Sequence, residues 1–216
     1  MAAGLGDGMV VEVPVKGYFE ENCFFYIDDE TKRGFIIDPG AQADRLLSLI
    51  REKGWTIEQI LLTHGHFDHM GAVDAIRNAL GIPVSAHSRS DEYLLDARKN
   101  LSALCGPPIT IRDVVYVDNG DVIQLSANPD ISLKVIYTPG HTTDSVVYYS
   151  QADKTAFVGD TIFKGSIGNY QYPGGNLEDL QQSIIRRIFT LPDETILCSG
   201  HSEQTSVGIE KRRYRF

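Results

Sequence analysis

Residues 63–72 read "THGHFDHMGA". The chain has six histidines in 216 residues, and His64, His66 and His69 fall within six positions here, with Asp68 among them. Without a cation, so many nitrogen and oxygen lone pairs on one short loop would repel each other and be poorly solvated. Working outward, "VIYTPGH" ends at His141, "TAFVGD" at Asp160 and "TILCSGH" at His201. Like "ILLTHGHFDH", each is an apolar, strand-like run that gives way to His or Asp at its C-terminal end. A glycine stands beside each ligand type (Gly65, Gly140, Gly159 and Gly200), as close backbone approach requires.

Five histidines and two aspartates, Asp68 and Asp160, make seven candidate metal ligands. A catalytic zinc takes about three protein ligands and a water. Seven therefore exceed one ion and match two divalent ions, three ligands each with one carboxylate shared. Imidazole with carboxylate suits Zn²⁺, or Fe or Mn in its place, rather than Ca²⁺. The sixth histidine, His87 in "PVSAH", has no ligand-type neighbours and reads as structural.

The rest of the chain supplies the frame. "VVEVPV", "CFFYI" and "GFIID" are β-branched or aromatic runs between turn residues, expected as a strand meander. "QADRLLSLIREKG" and "GAVDAIRNALGIP" have helical spacing and glycine stops, and "RSDEYLLDARKNLSALCG" reads as one further helix. "DVVYVDNGDVIQL" predicts a hairpin around Asn119-Gly120. "ISLKVIY", "SVVYYS", "TAFVG" and "ETILCSG" are strands. "NLEDLQQSIIRRIF" is an amphipathic helix with Leu177, Leu180, Ile184 and Ile188 on its apolar side, and "SVGIEKRRY" a short closing helix. Strand groups in each half with interspersed helices predict two sheets packed together and covered by helices. No composition break or linker divides the chain, so residues 1–216 are expected to form a single domain, with residues 1–8 a frayed tail.

Composition narrows the function classes. Hydrophobic content of 42% and charged content of 23% suit a globular core. A net charge of −9 argues against nucleic acid as partner, and the basic end "EKRRYRF" reads as a solvated last helical turn. No apolar run is long enough to cross a bilayer, and the start lacks the pattern of a signal peptide. Cys23, Cys105 and Cys198 are odd in number, without CxxC spacing, and read as buried free thiols. A cytoplasmic, metal-dependent protein acting on a small molecule is the expectation.

"NCFFYI", "IIDPGA", "LLTHGHFDHMGA", "YTPGHTTDSVVYY", "FVGDTIFKGSIG", "PGGN" and "SGH" together resemble the metallo-β-lactamase-fold hydrolases, most closely the small glyoxalase II-like members. The resemblance implies an α/β fold: an αββα four-layer sandwich, two mixed sheets face to face with helices outside and two metals at one edge. It implies that His64, His66 and His141 hold one metal, that Asp68, His69 and His201 hold the other, and that Asp160 bridges. Asp38 in "IDPGA" reads either as a simple turn residue or, like Thr63 and Thr142, as support for the ligands.

The chemistry expected of paired cations is attack on an ester-like carbonyl by a metal-bridging hydroxide, with Asp68 or Asp160 relaying a proton. No Ser-His or Cys-His arrangement competes. The expected activity is thioester hydrolysis of the glyoxalase II type. Alternatives of the same fold are a lactonase and a persulfide dioxygenase-like enzyme with one iron on His64, His141 and Asp160; a metal-stapled interaction module is a further rival. Two departures bear on the substrate. Relatives that bind glutathione continue into a helical C-terminal domain, which this chain is not expected to have. In "GSIGNYQYPGGN" they often carry a basic residue where Asn169 stands, followed here by Tyr170 and Gln171. A glutathione carboxylate would then rely on Lys164 or a loop tyrosine.

Overall fold

The structure is a computed structural model that describes residues 8–214. The tail expected over residues 1–8 lies outside the described residues except for Gly8, which already pairs with Asp28 in the first strand.

The first half builds one sheet. β1 (Gly8–Lys16), β2 (Glu20–Asp28) and β3 (Arg33–Ile37) form the expected antiparallel meander. α1 (Ala43–Lys53) ends at Gly54, whose left-handed φ of 67° lets the chain turn back. The chain then enters β4 (Thr56–Leu61), parallel to β3. The short α2 (Phe67–Met70) and α3 (Val73–Leu80) follow, then β5 (Val84–His87), parallel to β4.

Two expectations fail in the next stretch. The single helix expected over residues 89–106 is two short ones, α4 (Asp91–Leu94) and α5 (Ser102–Cys105). Between them the fully buried Asn100 donates its Nδ2 to the carbonyls of Tyr93 and Ile109 at 3.0 and 2.8 Å, and its own carbonyl accepts the Phe67 N–H at 3.0 Å. These long-range bonds replace helical ones and tie the segment to α2. The hairpin expected around Asn119-Gly120 is a crossover: β6 (Val115–Val117) pairs parallel with β5 in the first sheet, whereas β7 (Val122–Gln124) pairs with β8 (Ser132–Tyr137) in the second. Gly120 N–H bonds to the Val135 carbonyl at 2.9 Å, which directs the chain to the second sheet.

β8 continues antiparallel into β9 (Val146–Ser150) and β10 (Thr155–Gly159). A small hairpin follows, β11 (Ile162–Phe163) with β12 (Ser166–Ile167), then α6 (Leu177–Ser183), which winds on as a wider turn over Ile184–Ile188. β13 (Ile196–Ser199) lies parallel to β10, and β14 (Thr205–Ser206) and α7 (Val207–Arg213) close the described chain. The two large sheets have the orders β1-β2-β3-β4-β5-β6 and β14-β13-β10-β9-β8-β7, both mixed.

Strand alternation sorts the side chains into layers. Phe24, Tyr26, Phe35, Ile37 and Leu61 from the first sheet meet Leu133, Val135, Val146, Tyr148 and Phe157 from the second. The intervening Cys23, Phe25, Ile27, Ile36 and Ile60 pack outward under Leu46, Leu47 and Ile50 of α1 and Ile76 of α3. On the far side, Val147, Tyr149, Ala156 and Val158 pack under Leu180, Ile184, Ile188 and Val207. Leu177, in the first turn of α6, is exposed. The inner strands β3, β9 and β10 are covered on both faces, which is why their apolar residues run without alternation. The result is the expected four-layer αββα sandwich.

Candidate metal centre

Strand direction decides where the ligands go. β8 and β10 are each antiparallel to β9 and so run the same way, and β13 is parallel to β10. Their C-terminal ends leave one edge of the second sheet carrying His141, Asp160 and His201. The end of β4 delivers the 63–70 loop to the same place. Two glycines permit the approach. A Cβ on Gly159, which has φ of +48°, would lie 2.3 Å from Thr63 Oγ1; one on Gly200 would lie 2.5 Å from His69 Cε1 and 2.6 Å from Asp160 Oδ1. A side chain at either position would push the two sheet edges apart.

All seven residues predicted as ligands gather there. His64, His66 and His141 each present a ring nitrogen to the others, as do the donor atoms of Asp68, His69 and His201, within 4.8 Å in each group. Asp160 lies between the groups: Oδ1 is 3.4 Å from His69 Nε2, and Oδ2 is 3.6 Å from both His141 Nε2 and His201 Nε2.

The hydrogen bonds determine which nitrogens are free. Thr63 Oγ1 donates to Asp38 Oδ2 at 2.5 Å, so it accepts from His64 Nδ1–H at 3.1 Å and leaves His64 Nε2 a lone pair. His141 Nδ1–H donates to the Asn169 carbonyl at 2.7 Å, which does the same for its Nε2. These two nitrogens stand 3.1 and 2.9 Å from His66 Nδ1. At most one proton could be shared among three converging acceptors, and a cation satisfies all three. In the second group His69 Nδ1–H donates to Asp38 Oδ2 at 2.9 Å and His201 Nδ1–H to the Glu20 carbonyl at 2.8 Å. Their Nε2 atoms are 3.3 Å apart, and His201 Nε2 is 3.2 Å from Asp68 Oδ2. Asp160 Oδ1 is buried with no hydrogen-bond partner. Donors of this kind fit divalent ions such as zinc or iron.

Electrostatics separates the groups. Burial and the neighbouring imidazoles push His64 and His66 well below the usual histidine range. Burial lowers His69 too, but Asp160 and Asp38 outweigh it and hold that ring well above the usual range. Burial raises Asp160, yet His69 and His201 carry it well below an ordinary carboxylate. The negative field is concentrated where a cation would be needed.

Asp38 is both things its sequence context allowed. It turns the chain, with a left-handed φ of 49°, and its carboxylate accepts from Thr63 N (2.7 Å), Thr63 Oγ1 and His69 Nδ1. Although Asp38, His64 and His69 also cluster, that carboxylate is taken up by these donors. Thr142, expected beside the ligands, instead bonds Ser145 Oγ at 2.6 Å and braces its own turn. His87 stacks on Tyr137 at 4.4 Å, away from the centre, as a structural histidine would.

Several supporting residues left no sequence signal. The carbonyls of Glu20 and Asn169 orient two ligand rings, and a backbone acceptor has no residue signature. Glu21 is buried 3.8 Å from His69 Nδ1, and burial pushes its carboxyl well up. Tyr93, whose ring lies edge-on to His66 at 5.9 Å, receives the Thr143 N–H and donates to the Pro173 carbonyl, both at 3.0 Å. Cys23 and Cys198 are buried and free as expected, while Cys105 is only partly buried.

The centre forms the floor of a cavity of about 290 Å³ lined by Phe19, Phe67, Leu101, Phe163 and Tyr172 along with five of the seven candidate ligands. No serine, threonine, cysteine or lysine is among the lining residues. No helix among the described residues is long and apolar enough to cross a membrane.

Comparison with known proteins agrees with this architecture. Residues 17–201 match the model of the metallo-beta-lactamase superfamily. The "Probable metallo-hydrolase YqgX" of Bacillus subtilis is 37% identical over 201 residues, 93% of each chain. The "Hydroxyacylglutathione hydrolase GloC" of Haemophilus influenzae is 32% identical over 96% of this chain and 98% of its own. Among solved structures, the BLEG-1 B3 metallo-beta-lactamase superposes with TM-score 0.88 at 36% identity, over 94% of this chain and 97% of that one. TTHA1623 in a di-iron-bound form gives 0.79 at 32%, over 95% and 99%. With its paired sheets, its clustered imidazoles and carboxylates and these relatives, the chain belongs to the metallo-beta-lactamase superfamily of metal-dependent hydrolases.

Proposed function

We propose that this protein is a dinuclear metal-dependent thioesterase of the glyoxalase II type. The observation that carries the reading is the pair of adjacent donor groups joined by Asp160 at the floor of a cavity without a side-chain nucleophile. His64, His66 and His141 would hold one ion, Asp68, His69 and His201 the other, and Asp160 both. Zn²⁺ suits the donor set, with Fe or Mn as substitutes. Divalent ions supply Lewis acidity for the carbonyl and lower the pKa of water from about 15.7 to about 7.

The chain's own residues do the rest. Asp68 lines the cavity beside His201, and its carboxylate, beyond the oxygen given to the ion, would take a proton from the attacking water and pass it to the departing sulfur. Asp38, Glu20 and Asn169 keep the Nε2 lone pairs of His69, His201 and His141 turned inward. The aromatic wall excludes bulk water from the reacting carbonyl. A hydroxyacylglutathione hydrolase among the relatives supports the thioester class.

The test is a panel of thioesters and lactones, S-D-lactoylglutathione among them, assayed with Zn²⁺-loaded and chelated protein, together with elemental analysis. Two ions per chain and chelator-sensitive thioester cleavage are expected. Cleavage indifferent to chelation would remove the reading; one iron per chain with thiol-dependent O₂ uptake would replace it with the dioxygenase.

A further inference from the structure

We propose, resting on the thioesterase reading, that the substrate is a thioester with an apolar, preferably aromatic, acyl group on a thiol carrier that is uncharged where it meets the protein. The juxtaposition behind this is an aromatic wall around the metal centre with no lysine or arginine among its described lining residues.

Each part of the centre has an aromatic neighbour. Tyr172 stands edge-on to His66 and His141, with ring centres 5.6 and 6.2 Å away. Phe163 stands edge-on to His201 at 6.1 Å. Phe19 and Phe67, 5.9 Å apart, and Leu101 complete the lining. Phe19 and Tyr172 remain 43% and 37% exposed, so apolar surface is left open at the mouth of the cavity. An acyl ring entering there removes its own surface and theirs from water and gains edge-to-face contacts. A cavity of about 290 Å³ accepts a ring and a thioester but not a tripeptide as well, so the carrier must lie across the mouth.

For an anionic carrier the lining offers neutral donors, the Tyr172 hydroxyl and the Asn169 amide, and no cation among the described residues. Among the described residues no lysine or arginine lines the cavity, and Glu20, its one carboxylate outside the candidate ligand set, forms an exposed pair with Lys16 at 3.3 Å. Lys164, next to Phe163 in the chain, lies outside the lining and pairs with Glu203 at the surface. Asn169 presents an amide whose Oδ1 already accepts the Gln171 N–H at 2.9 Å. A carboxylate several ångströms from the scissile carbonyl would be partly desolvated against aromatic rings without a charge partner. Drawn instead to the ions these donors would hold, it would occupy the place the carbonyl needs. The reaction is otherwise ordinary: water adds to the carbonyl carbon, the C–S bond breaks, and acid and thiol leave with the two protons of water shared between them.

Two measurements test this on Zn²⁺-loaded protein. The first compares kcat/KM for S-phenylacetyl-N-acetylcysteamine, S-acetyl-N-acetylcysteamine, S-phenylacetylglutathione and S-D-lactoylglutathione. Phenylacetyl is expected to exceed acetyl at least tenfold on the neutral carrier, and the neutral carrier to exceed glutathione at least tenfold with the same acyl group. The second is calorimetric binding of the uncleavable thioethers S-phenethyl-N-acetylcysteamine and S-phenethylglutathione, with the neutral one at least tenfold tighter. Phe19→Ala, on an exposed hairpin tip, should weaken the neutral thioether about fivefold or more, and Asn169→Arg should tighten the glutathione thioether. Equal or better use of the glutathione compounds, or of acetyl over phenylacetyl, overturns the inference and leaves the thioesterase reading intact. Tight binding of the neutral thioether with no thioester cleaved overturns the thioesterase reading and leaves the site's selectivity standing.

Discussion

The two donor groups, side by side in one centre, are built differently. His64, His66 and His141 are all buried, all imidazole, and braced by neutral groups: Thr63, the Asn169 carbonyl and the Tyr93 ring. Asp68, His69 and His201 are respectively half-buried, buried and exposed, and carboxylates surround them: Asp38, Glu21 and Asp160. The first group is a rigid socket of lone pairs that resists protonation. The second is a charged, half-open site whose rings are held by a negative field. The difference suits a division of labour under the proposed function: the buried group would anchor an ion, and the open group would face substrate and proton traffic.

The sharpest way to break this division is to remove the joint. Asp160→Asn is expected to lower kcat/KM by about 10³-fold or more and to reduce metal content below two per chain, since both groups lose a shared carboxylate. Retention of two ions and near-normal turnover would mean the groups are independent.

The support behind the buried group predicts a pH effect on folding. Asp144 is fully buried, accepts from Ser90 Oγ at 2.7 Å, and sits against Gly65 in the ligand loop. Burial pushes its carboxyl from an ordinary 3.8 up to about 6, against the hydrogen bonds from Thr142 and Ser90. The native state then holds a proton the unfolded chain has lost, so this group's contribution to stability falls as pH rises from about 4 to about 6 and is flat above. The whole effect is at most about 3 kcal/mol. Denaturant midpoints of wild type and Asp144→Asn across that range should diverge; parallel curves would show that Asp144 ionises freely.

The open group is tested by Asp38→Asn, which acts on His69 directly and on His64 only through Thr63. Losing the charge behind His69 should cost roughly 10–100-fold in affinity for one ion of the pair. The other, on the His64 group, should change less, read by competition with a graded chelator. Equal weakening of both would mean the two groups share one support. The smallest effect is expected at the rim. Lys164→Ala breaks a surface pair with Glu203 and should change stability by less than about 1 kcal/mol. A larger loss would give the rim a structural role.

Much of the fold was legible because its signals are local. The runs "CFFYI" and "VVYY" are apolar or aromatic at every position, as strands covered on both faces require, and Gly54 and Gly81 end their helices as expected. The failures occur where a distant partner outbids a local preference. Asn119-Gly120 favours a hairpin, yet β6 finds β5 and β7 finds β8. The 89–106 stretch has helical residues, yet Asn100 breaks it to hold Phe67. In the centre, residue type and strand position marked all seven candidate donors. Asp38 stood undecided between turn and brace, and Glu21, Tyr93 and Asp144 carried no mark.

By itself, the order of residues determined which chemistries the chain could bring, because imidazole, carboxylate and the alternation of apolar side chains are properties of residues and their near neighbours. Only the tertiary structure decided that His141, Asp160 and His201 leave the same sheet edge, that each supporting carbonyl faces one ring nitrogen, and that one donor group is sealed while the other opens onto an aromatic cavity. Those facts depend on strand direction and on contacts across more than a hundred residues, which no local pattern records.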